Sequence, residues 1–322
     1  MKRLLVCAAA LAAGLALAAG AAAQSFPSKP VTIVVGFEPG GGTDTTARIV
    51  GKALSEQLGQ QVIVENRAGA GGTIAVAHTA KASPDGYTLV LANVGALTAN
   101  PFLMQLSYDP LRDLTPISMA AVFANVLVVQ PDLPAKTLPE FVRLAKAKPK
   151  TLTYASSGVG GAGHLAGELL AIMAGIQMVH VPYKGGGPAM RGFLGREVDA
   201  SIATPISSIK QIQAGKARAI ATTGAKRAQL MPDVPTIAEQ GYPGYEALNW
   251  YGFLGPAGME RPIVDKLHAE IARALADPAV IEAMKKTGVE PESSRPEEFA
   301  AYIRREYETW GRVIRQAGIK AQ

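Results

Sequence analysis

Short apolar strands alternate with glycine-rich loops and helical segments along most of this chain. Val31–Val35 is a β-branched run, the glycines Gly40–Gly42 follow it, and a helical pattern occupies about 45–57. The same order recurs at Val62–Val64, where Gly69–Gly72 precedes the next helical segment. Strands that alternate with helices form parallel sheets, because each crossover places a helix on a sheet face. The pattern therefore predicts an α/β fold.

A second series of the same kind begins near Asn125. Its predicted strands are Val126–Val129, Leu152–Ala155, Met178–Val181, Ala200–Ile202 and Ala219–Thr222. The last part of the chain is mostly helical and has too few strand candidates for a core of its own, so we expect it to pack on the first sheet. The chain then crosses twice between two lobes, which makes a hinge with a cleft. We expect residues 24–124 with 250–322 in one lobe, and 125–249 in the other.

Residues 1–23 have the pattern of a secretory leader. Lys2 and Arg3 precede an uncharged run to about Ala19, and Ala21–Ala23 offers a small-residue cleavage site. This is the order of charged, apolar and cleavage regions in a signal peptide. An uncleaved membrane anchor is the alternative, which the Ala/Gly-rich run disfavours. We therefore expect a mature protein outside the cytoplasm.

The residue types of the mature chain exclude several classes of function. The only cysteine, Cys7, lies in the predicted leader, so disulfides, a cysteine nucleophile and a cysteine metal site are excluded. The formal net charge is +6, but the basic residues are scattered and no aromatic residues alternate with them. This disfavours nucleic acid as a partner. A mild positive field is better suited to attract a small anion.

The first glycine loop, Glu38–Asp44, lies between a predicted strand and its helix. Ligands of open α/β sheets bind beyond the carboxyl ends of the strands. Glycines allow close backbone approach, and a helix N-terminus offers free N–H groups and partial positive charge to a carboxylate or phosphate. Thr43 or Asp44 is a suitable N-cap residue. The alternative is a tight strand-to-helix turn without a ligand, and the spacing alone leaves both open.

The second glycine loop, Ser156–Gly163, occupies the corresponding place in the second lobe. Gly158, Gly160 and Gly163 satisfy the dinucleotide pattern G-x-G-x-x-G. The next predicted strand, however, runs into Pro182–Lys184 and lacks the acidic residue that would hold a ribose. Two serine hydroxyls and exposed N–H groups instead suit an anion. A loop of this kind on each lobe can hold one anion from both sides of a cleft.

No metal, cofactor or strong catalytic pattern emerges from the sequence. The histidines are His78, His164, His180 and His268, and none pairs at metal-ligand spacing. His164 begins a helix beside the serine loop, where it either donates to an anion or simply occupies the first turn. His180, within an apolar strand, is more typical of a core residue. A secreted hydrolase that uses Ser156 or Ser157 is the rival hypothesis, although the G-x-S-x-G elbow is missing.

Nine segments of the chain resemble, in the same order, the Bug (TctC-like) receptors of tripartite tricarboxylate transporters. The segments that carry the resemblance are Phe37–Asp44, Val64–Gly72, Ser83–Thr88, Tyr154–Gly158, His164–Leu169, Val179–Gly185, Ala214–Lys216, Pro232–Thr236 and Pro296–Phe299. They extend over essentially the whole mature chain, and so many ordered segments make a chance resemblance implausible.

The resemblance implies a two-lobed type II periplasmic-binding-protein fold with two crossover strands, and a receptor that holds a small carboxylate and catalyses no reaction. It implies membrane transporter subunits, or a sensor, as the protein partner of a monomer. The expected contacts, by resemblance or position, are Phe37, Gly41, Gly42, Thr43, Asp44, Asn93, Ser156, Ser157, Gly158, His164 and Thr204.

The chain departs from the family pattern in two places. Glu38 stands where many relatives have proline or a small neutral residue, which alters the shape or charge of the first loop. At Ala203-Thr204 many relatives have Asp-Asn, and that aspartate is a natural partner for a ligand ammonium. Its replacement by alanine favours a plain mono- or dicarboxylate over an amino acid.

Overall fold

Two β-sheets organise residues 26–319, the part of the chain that the computed structural model describes. The strands of the first sheet are β1 (Val31–Val35), β2 (Val62–Asn66), β3 (Thr88–Asn93), β4 (Leu114–Ala124), β10 (Leu248–Pro256) and β11 (Glu290–Pro291). The strands of the second sheet are β5 (Val126–Val129), β6 (Thr153–Ser156), β7 (Val179–Pro182), β8 (Ala200–Ala203) and β9 (Arg218–Thr222). The predicted leader and Cys7 lie outside the described residues.

Helices connect the strands and cover the sheets. The α-helices are α1 (Gly42–Leu58), α2 (Thr73–Ala80), α3 (Asn100–Leu103), α4 (Leu138–Ala147), α5 (Ala162–Ala174), α6 (Gly186–Leu194), α7 (Pro205–Gln213), α8 (Arg261–Ala276), α9 (Pro278–Lys285) and α10 (Pro296–Ala317). Short 3₁₀ turns occupy Ala70–Gly72 and Ala238–Gln240, and a π-helical turn occupies Gly95–Ala99. Within the described residues, no helix is long and apolar enough to cross a membrane.

Both sheets mix parallel and antiparallel pairs. The strand order of the first sheet is β11-β4-β10-β3-β1-β2, with β1 parallel to β2 and β3 and with β10 antiparallel to β3 and β4. In the second sheet the order is β7-β6-β8-β5-β9, with β6 parallel to β7 and β8. The carboxyl ends of the parallel strands in each sheet therefore lie together at one edge, where the glycine loops follow.

The chain passes between the sheets at two adjacent points. β4 of the first sheet continues through Asn125 into β5 of the second, and the return runs from β9 to β10. At the start of β10, Leu248 pairs with Ala124. The hydroxyl of Thr223 accepts a hydrogen bond from the Asn125 N–H at 2.8 Å and donates one to the Ala247 carbonyl at 2.8 Å. The two connections thus form one narrow hydrogen-bonded bridge.

The C-terminal helices return to the first sheet and share its core. Trp250 of β10 is fully buried and meets the rings of Phe299 and Tyr302 from α10 edge-on, with centroids 5.6 and 5.7 Å apart. The Trp310 side chain from the same helix is also buried. Burial of large apolar side chains of this kind contributes about 2 kcal/mol each. This packing attaches the C-terminal helices to the first sheet.

We call the first sheet with α1–α3 and α8–α10 the first lobe, and the second sheet with α4–α7 the second lobe.

The sequence analysis did not predict the strands β4 and β10, although these two share the longest run of paired residues among the described strands. Pro116 interrupts the pattern of β4, and Gly252 and Gly255 interrupt that of β10. Helices α6 and α7 were not predicted either, because Gly186, Gly187 and Pro205 at their starts are typical of loops.

Candidate functional site

The carboxyl-end loops of the two sheets face each other across a small cavity. Its walls come from both lobes: Phe37, Gly41, Gly42, Thr43, Asn93, Asn249 and Tyr251 from the first, and Ser157, Gly186 and Thr204 from the second. None of these residues is ionisable at neutral pH, because burial raises the pKa of Tyr251 further above 10. A larger groove of about 890 Å³ lies beside the crossings, but no glycine loop faces it.

Three helices begin at this cavity without a side-chain cap. Gly41 precedes α1 and Gly185 precedes α6, and glycine has no side chain to bond the first-turn N–H groups. Thr204 precedes α7, but its hydroxyl lies 3.1 Å from the Ser207 hydroxyl and caps no N–H group. By contrast, α4, which lies elsewhere, has a complete capping box on Thr137. Uncapped N-termini leave donors and partial positive charge directed at the cavity.

The lobes touch each other around the cavity, so the structure shows a closed arrangement. The Glu38 N–H donates to the Lys184 carbonyl at 3.1 Å across the cleft. A Cβ atom placed on Gly41 would lie 3.6 Å from the Gly186 nitrogen of the other lobe. Glu38 also lies 3.7 Å from the Arg191 guanidinium. Gly41, which follows the family pattern, and Glu38, which departs from it, therefore both lie at the contact between the lobes.

Asp44 does not line the cavity, although the sequence places it among the expected contacts. Its carboxylate accepts hydrogen bonds from the Gly40 N–H at 3.0 Å, from Arg48 at 3.0 Å and from Asn66 at 2.9 Å. Burial raises the pKa of this carboxyl, but the three hydrogen bonds outweigh burial and leave the pKa below 3.8. Asp44 thus fixes the shape of the first glycine loop from behind.

Ser156, Gly158 and His164 do not line the cavity either. Ser156 is fully buried, and its hydroxyl lies 2.7 Å from Nε2 of His180. His164 is 1 % exposed and accepts the Gly160 N–H at Nδ1 over 3.1 Å. Gly158 lines a neighbouring interlobe cavity instead, together with Ser157 and Phe37.

The contact of Ser156 with His180 is a serine–histidine pair, yet its geometry does not suit a nucleophile. A substrate cannot reach a hydroxyl with no exposed surface, and Nδ1 of His180 has no orienting partner among the described residues. The other histidine beside the serine loop, His164, bonds the Gly160 N–H instead of Ser156. The described part of the chain also holds no cluster of three or more potential metal ligands.

Sequence reasoning missed three residues that line the cavity. Gly186 belongs to Gly185–Gly187, a fourth glycine-rich run after a strand, and this repeat of the loop pattern was the available signal. Asn249 and Tyr251 lie on β10, a strand that the sequence analysis did not predict. The Tyr251 hydroxyl lies against Gly42 and leaves no room for a Cβ atom there. Tyr251 therefore explains why glycine is required at the start of α1.

Asn249 is 5 % exposed, and its Oδ1 has no hydrogen-bond partner among the described residues. We expect Asn249→Ala to weaken ligand binding about fivefold, the effect of one lost hydrogen bond of about 1 kcal/mol. Calorimetric titration measures this. Thr79→Val is the matched control, because its hydroxyl oxygen is also buried and unpartnered but lies on α2, outside the cavity and away from the bridge between the lobes. Equal losses in both variants would contradict a ligand contact at Asn249.

Comparison with known proteins identifies the family of this chain. The family model of the tripartite tricarboxylate transporter family receptors, TctC, matches residues 46–319. The chain belongs to this family. It is 37 % identical to protein BugT of Bordetella pertussis over 322 residues, which cover 99 % of each chain. The resemblance predicted from the sequence is confirmed, and the chain is a solute-binding receptor.

Solved structures of similar proteins support the fold. The periplasmic binding protein BugD superposes with a TM-score of 0.88 at 36 % identity, covering 92 % of this chain and 100 % of the other. A structure of R. palustris Rpa4515 with adipate superposes with a TM-score of 0.89 at 34 % identity, covering 92 % and 99 %. The predicted two-lobed α/β periplasmic-binding-protein fold is thus confirmed.

Proposed function

We propose that this receptor captures a small carboxylate in the interlobe cavity. The observation that carries the proposal is the convergence of three uncapped helix N-termini, those of α1, α6 and α7, on a cavity that no charged side chain lines. Fixed N–H donors stabilise an anion without a competing counterion. The adipate in the similar protein Rpa4515 supports a carboxylate as the ligand.

The contacts that we propose are Phe37, Gly41, Gly42, Thr43, Asn93, Ser157, Thr204, Gly186, Asn249 and Tyr251. Ser156, Gly158, His164 and Asp44, which the sequence also suggested, act indirectly in this proposal. Ala203 ends β8 beside Thr204, and neither residue brings a carboxylate to the cavity. A ligand ammonium would therefore lack an anionic partner, so a plain carboxylate is favoured over an amino acid.

Binding proceeds in this proposal by closure of two lobes, residues 24–124 with 250–322 and residues 125–249, about the bridge at Asn125 and Thr223. The first lobe meets the anion, and the second lobe adds the N-termini of α6 and α7 when it closes. Only contacts that exist in the closed state shift the equilibrium toward it. The receptor acts without turnover, as a periplasmic monomer, and presents its closed form to membrane transporter subunits or to a sensor.

A thermal-shift screen against mono-, di- and tricarboxylates and amino acids tests this function. A ligand at a hundredfold excess over its Kd stabilises the folded state by about 2.7 kcal/mol and raises Tm. We expect a carboxylate to do so in the wild type, and Thr43→Val with Ser157→Ala to remove the shift. Turnover of an ester panel, lost in Ser157→Ala, would support the hydrolase instead. A panel without any shift, on protein free of carried-over ligand, would contradict the proposal.

The ion pair of Glu38 with Arg191 should slow ligand release slightly. Both side chains are largely exposed, at 41 % and 69 %, so the pair contributes at most about 1 kcal/mol at low salt. We expect Glu38→Gln to raise the dissociation rate two- to threefold, with no difference from wild type in 1 M salt. Glu282→Gln removes the Lys286 pair within α9 and is the control in stopped-flow measurements. If the dissociation rate of Glu38→Gln stays above that of the wild type at high salt, Glu38 acts through the shape of the first glycine loop instead of through its charge.

A further inference from the structure

A buried polar cluster lies directly behind the second glycine loop. The imidazoles of His164 and His180 are stacked, with centroids 4.1 Å apart and planes inclined by 22°. His164 comes from α5 and His180 from β7, and each is bonded to one end of the segment Ser156–Gly161. The proposed receptor function uses neither histidine as a ligand contact. Their bonds nevertheless reach the loop that presents Ser157 to the cavity.

The bonds of Ser156 determine which nitrogen of His180 carries its proton. The Ser156 hydroxyl donates to the Gly158 carbonyl at 3.1 Å and accepts from the Gly158 N–H at 3.2 Å. Its single proton can go to that carbonyl only if Nε2 of His180, 2.7 Å away, is the donor in the bond between the two side chains, and this arrangement satisfies all three bonds of the hydroxyl. Nδ1 of His180 is then a bare lone pair, which explains how it remains buried without a partner. Ser156 and His180 together fix the first turn of the loop.

The bond of Gly160 determines the tautomer of His164 in the same way. The Gly160 N–H donates to Nδ1 of His164 at 3.1 Å, so Nδ1 is unprotonated and the ring carries its proton on Nε2. That N–H faces Glu168, whose carboxylate is 3.9 Å away. Gly160 has a φ of +70°, and glycine occupies this left-handed region about as readily as the region of negative φ, so Gly160 by itself does not select this conformation. The hydrogen bond to His164 restrains it at the far end of the loop.

We propose that His180 and His164 are positioning residues, which hold the Ser156–Gly161 loop in the conformation that receives the ligand. Both are neutral Nε2–H tautomers that act through a hydrogen bond to the loop rather than through contact with the ligand. This inference rests on the proposed carboxylate function for its binding readout. The ionisable groups that face the pair are Tyr154 from β6, Glu168 from α5 and Tyr245 from the segment before β10.

Conservative substitutions separate positioning from simple packing. The amide nitrogen of Gln occupies the place of Nε2, so His180→Gln keeps the donor to Ser156, whereas His180→Phe keeps the ring and loses the donor. Likewise, the amide oxygen in His164→Asn takes the place of Nδ1 as the acceptor of the Gly160 N–H, whereas His164→Leu removes the acceptor. Tyr154→Phe is the control, because Tyr154 belongs to the same buried cluster but bonds Glu168 at 2.9 Å instead of the loop.

With adipate as the probe, we expect His180→Phe and His164→Leu to weaken binding at least tenfold. His180→Gln and His164→Asn should remain within about threefold of wild type, as should Tyr154→Phe. Urea unfolding, measured in parallel, separates affinity from stability. If Tyr154→Phe weakens binding as much as His180→Phe at equal stability, the histidines act only as core packing and the inference is wrong.

A second readout needs no ligand, and so it decides the inference even if adipate does not bind. Nitrogen chemical shifts of ¹⁵N-labelled histidine should show two neutral Nε2–H rings at pH 7. The Gly158 and Gly160 amides should exchange at least tenfold faster in His180→Phe and His164→Leu, respectively, than in the Gln and Asn variants. Unchanged exchange, or an Nδ1–H tautomer at either ring, would overturn the inference independently of the proposed function.

Discussion

Gly95→Ala should disfavour lobe closure and lower carboxylate affinity about thirtyfold. A Cβ atom on Gly95 would lie 2.6 Å from the Gly160 carbonyl oxygen and 3.0 Å from the Gly161 Cα, both backbone atoms of the opposite lobe. Backbone atoms cannot rotate away, so the closed state would cost about 2 kcal/mol more than in the wild type. In an open state the two lobes are apart, and folding stability should hardly change. Calorimetric titration and small-angle scattering with ligand measure both effects.

Gly51→Ala is the matched control for this substitution. Gly51 lies within α1, and its added Cβ would make ordinary contacts of 3.4 to 3.7 Å with Val62, Ile33 and Val64, all in the first lobe. Alanine in a helix interior should stabilise the fold by up to about 1 kcal/mol and leave affinity unchanged. If Gly95→Ala binds as tightly as Gly51→Ala and still becomes more compact with ligand, the closed contact between the lobes is not part of binding.

As the pH falls, the free energy of unfolding of the receptor should begin to decrease well above the pH at which its carboxylates are protonated. Burial lowers the pKa of His164 from 6.5 to about 4, and burial with repulsion from His164 lowers that of His180 to about 3. Above pH 6.5 both rings are neutral in the native and unfolded states. Below it, only the unfolded chain gains protons, so stability falls until the native rings titrate. At pH 4.5 the loss is about 2.5 kcal/mol per histidine.

Urea unfolding at pH 7.0 and 4.5 measures this loss. The double variant His164→Asn, His180→Gln has no titrating ring at these positions and should lose about 5 kcal/mol less than wild type over the same interval. Glu168 acts in the opposite direction, because burial raises its pKa and protonation then favours the native state. Its contribution is common to both proteins. Equal acid sensitivity in the two proteins would show that the native histidines are already protonated.

The sequence predicted most strands and helices correctly, because local patterns were sufficient there. Val31–Val35, Val126–Val129 and the helix Leu138–Ala147 match the structure at both ends. A β-branched run and a capping sequence are signals that neighbouring residues carry by themselves. For β4 and β10 the pattern was interrupted by Pro116 and Gly252, and their pairing depends on strands far away in the chain. Long-range pairing of this kind leaves no local periodicity.

The candidate site was predicted less completely than the fold. The glycine loops were recognised, since glycine before a helix is visible in the sequence. The directions of side chains were not, and Asp44 and Ser156 turned out to face away from the cavity. Asn249 and Tyr251 reach it from β10, more than 150 residues after Thr43 in the chain. Sequence spacing alone could not place them beside the first loop.

The sequence by itself determined the α/β architecture, because strand periodicity and strand-exit glycines are local properties, and its nine ordered segments carried the resemblance to the family. Only the tertiary structure decided which groups line the cavity between the lobes. A helix N-terminus becomes an anion site when it is uncapped and directed into a cavity, and both conditions depend on packing. The same packing placed His164 and His180 against the loop, where their rings bond the Gly160 N–H and the Ser156 hydroxyl.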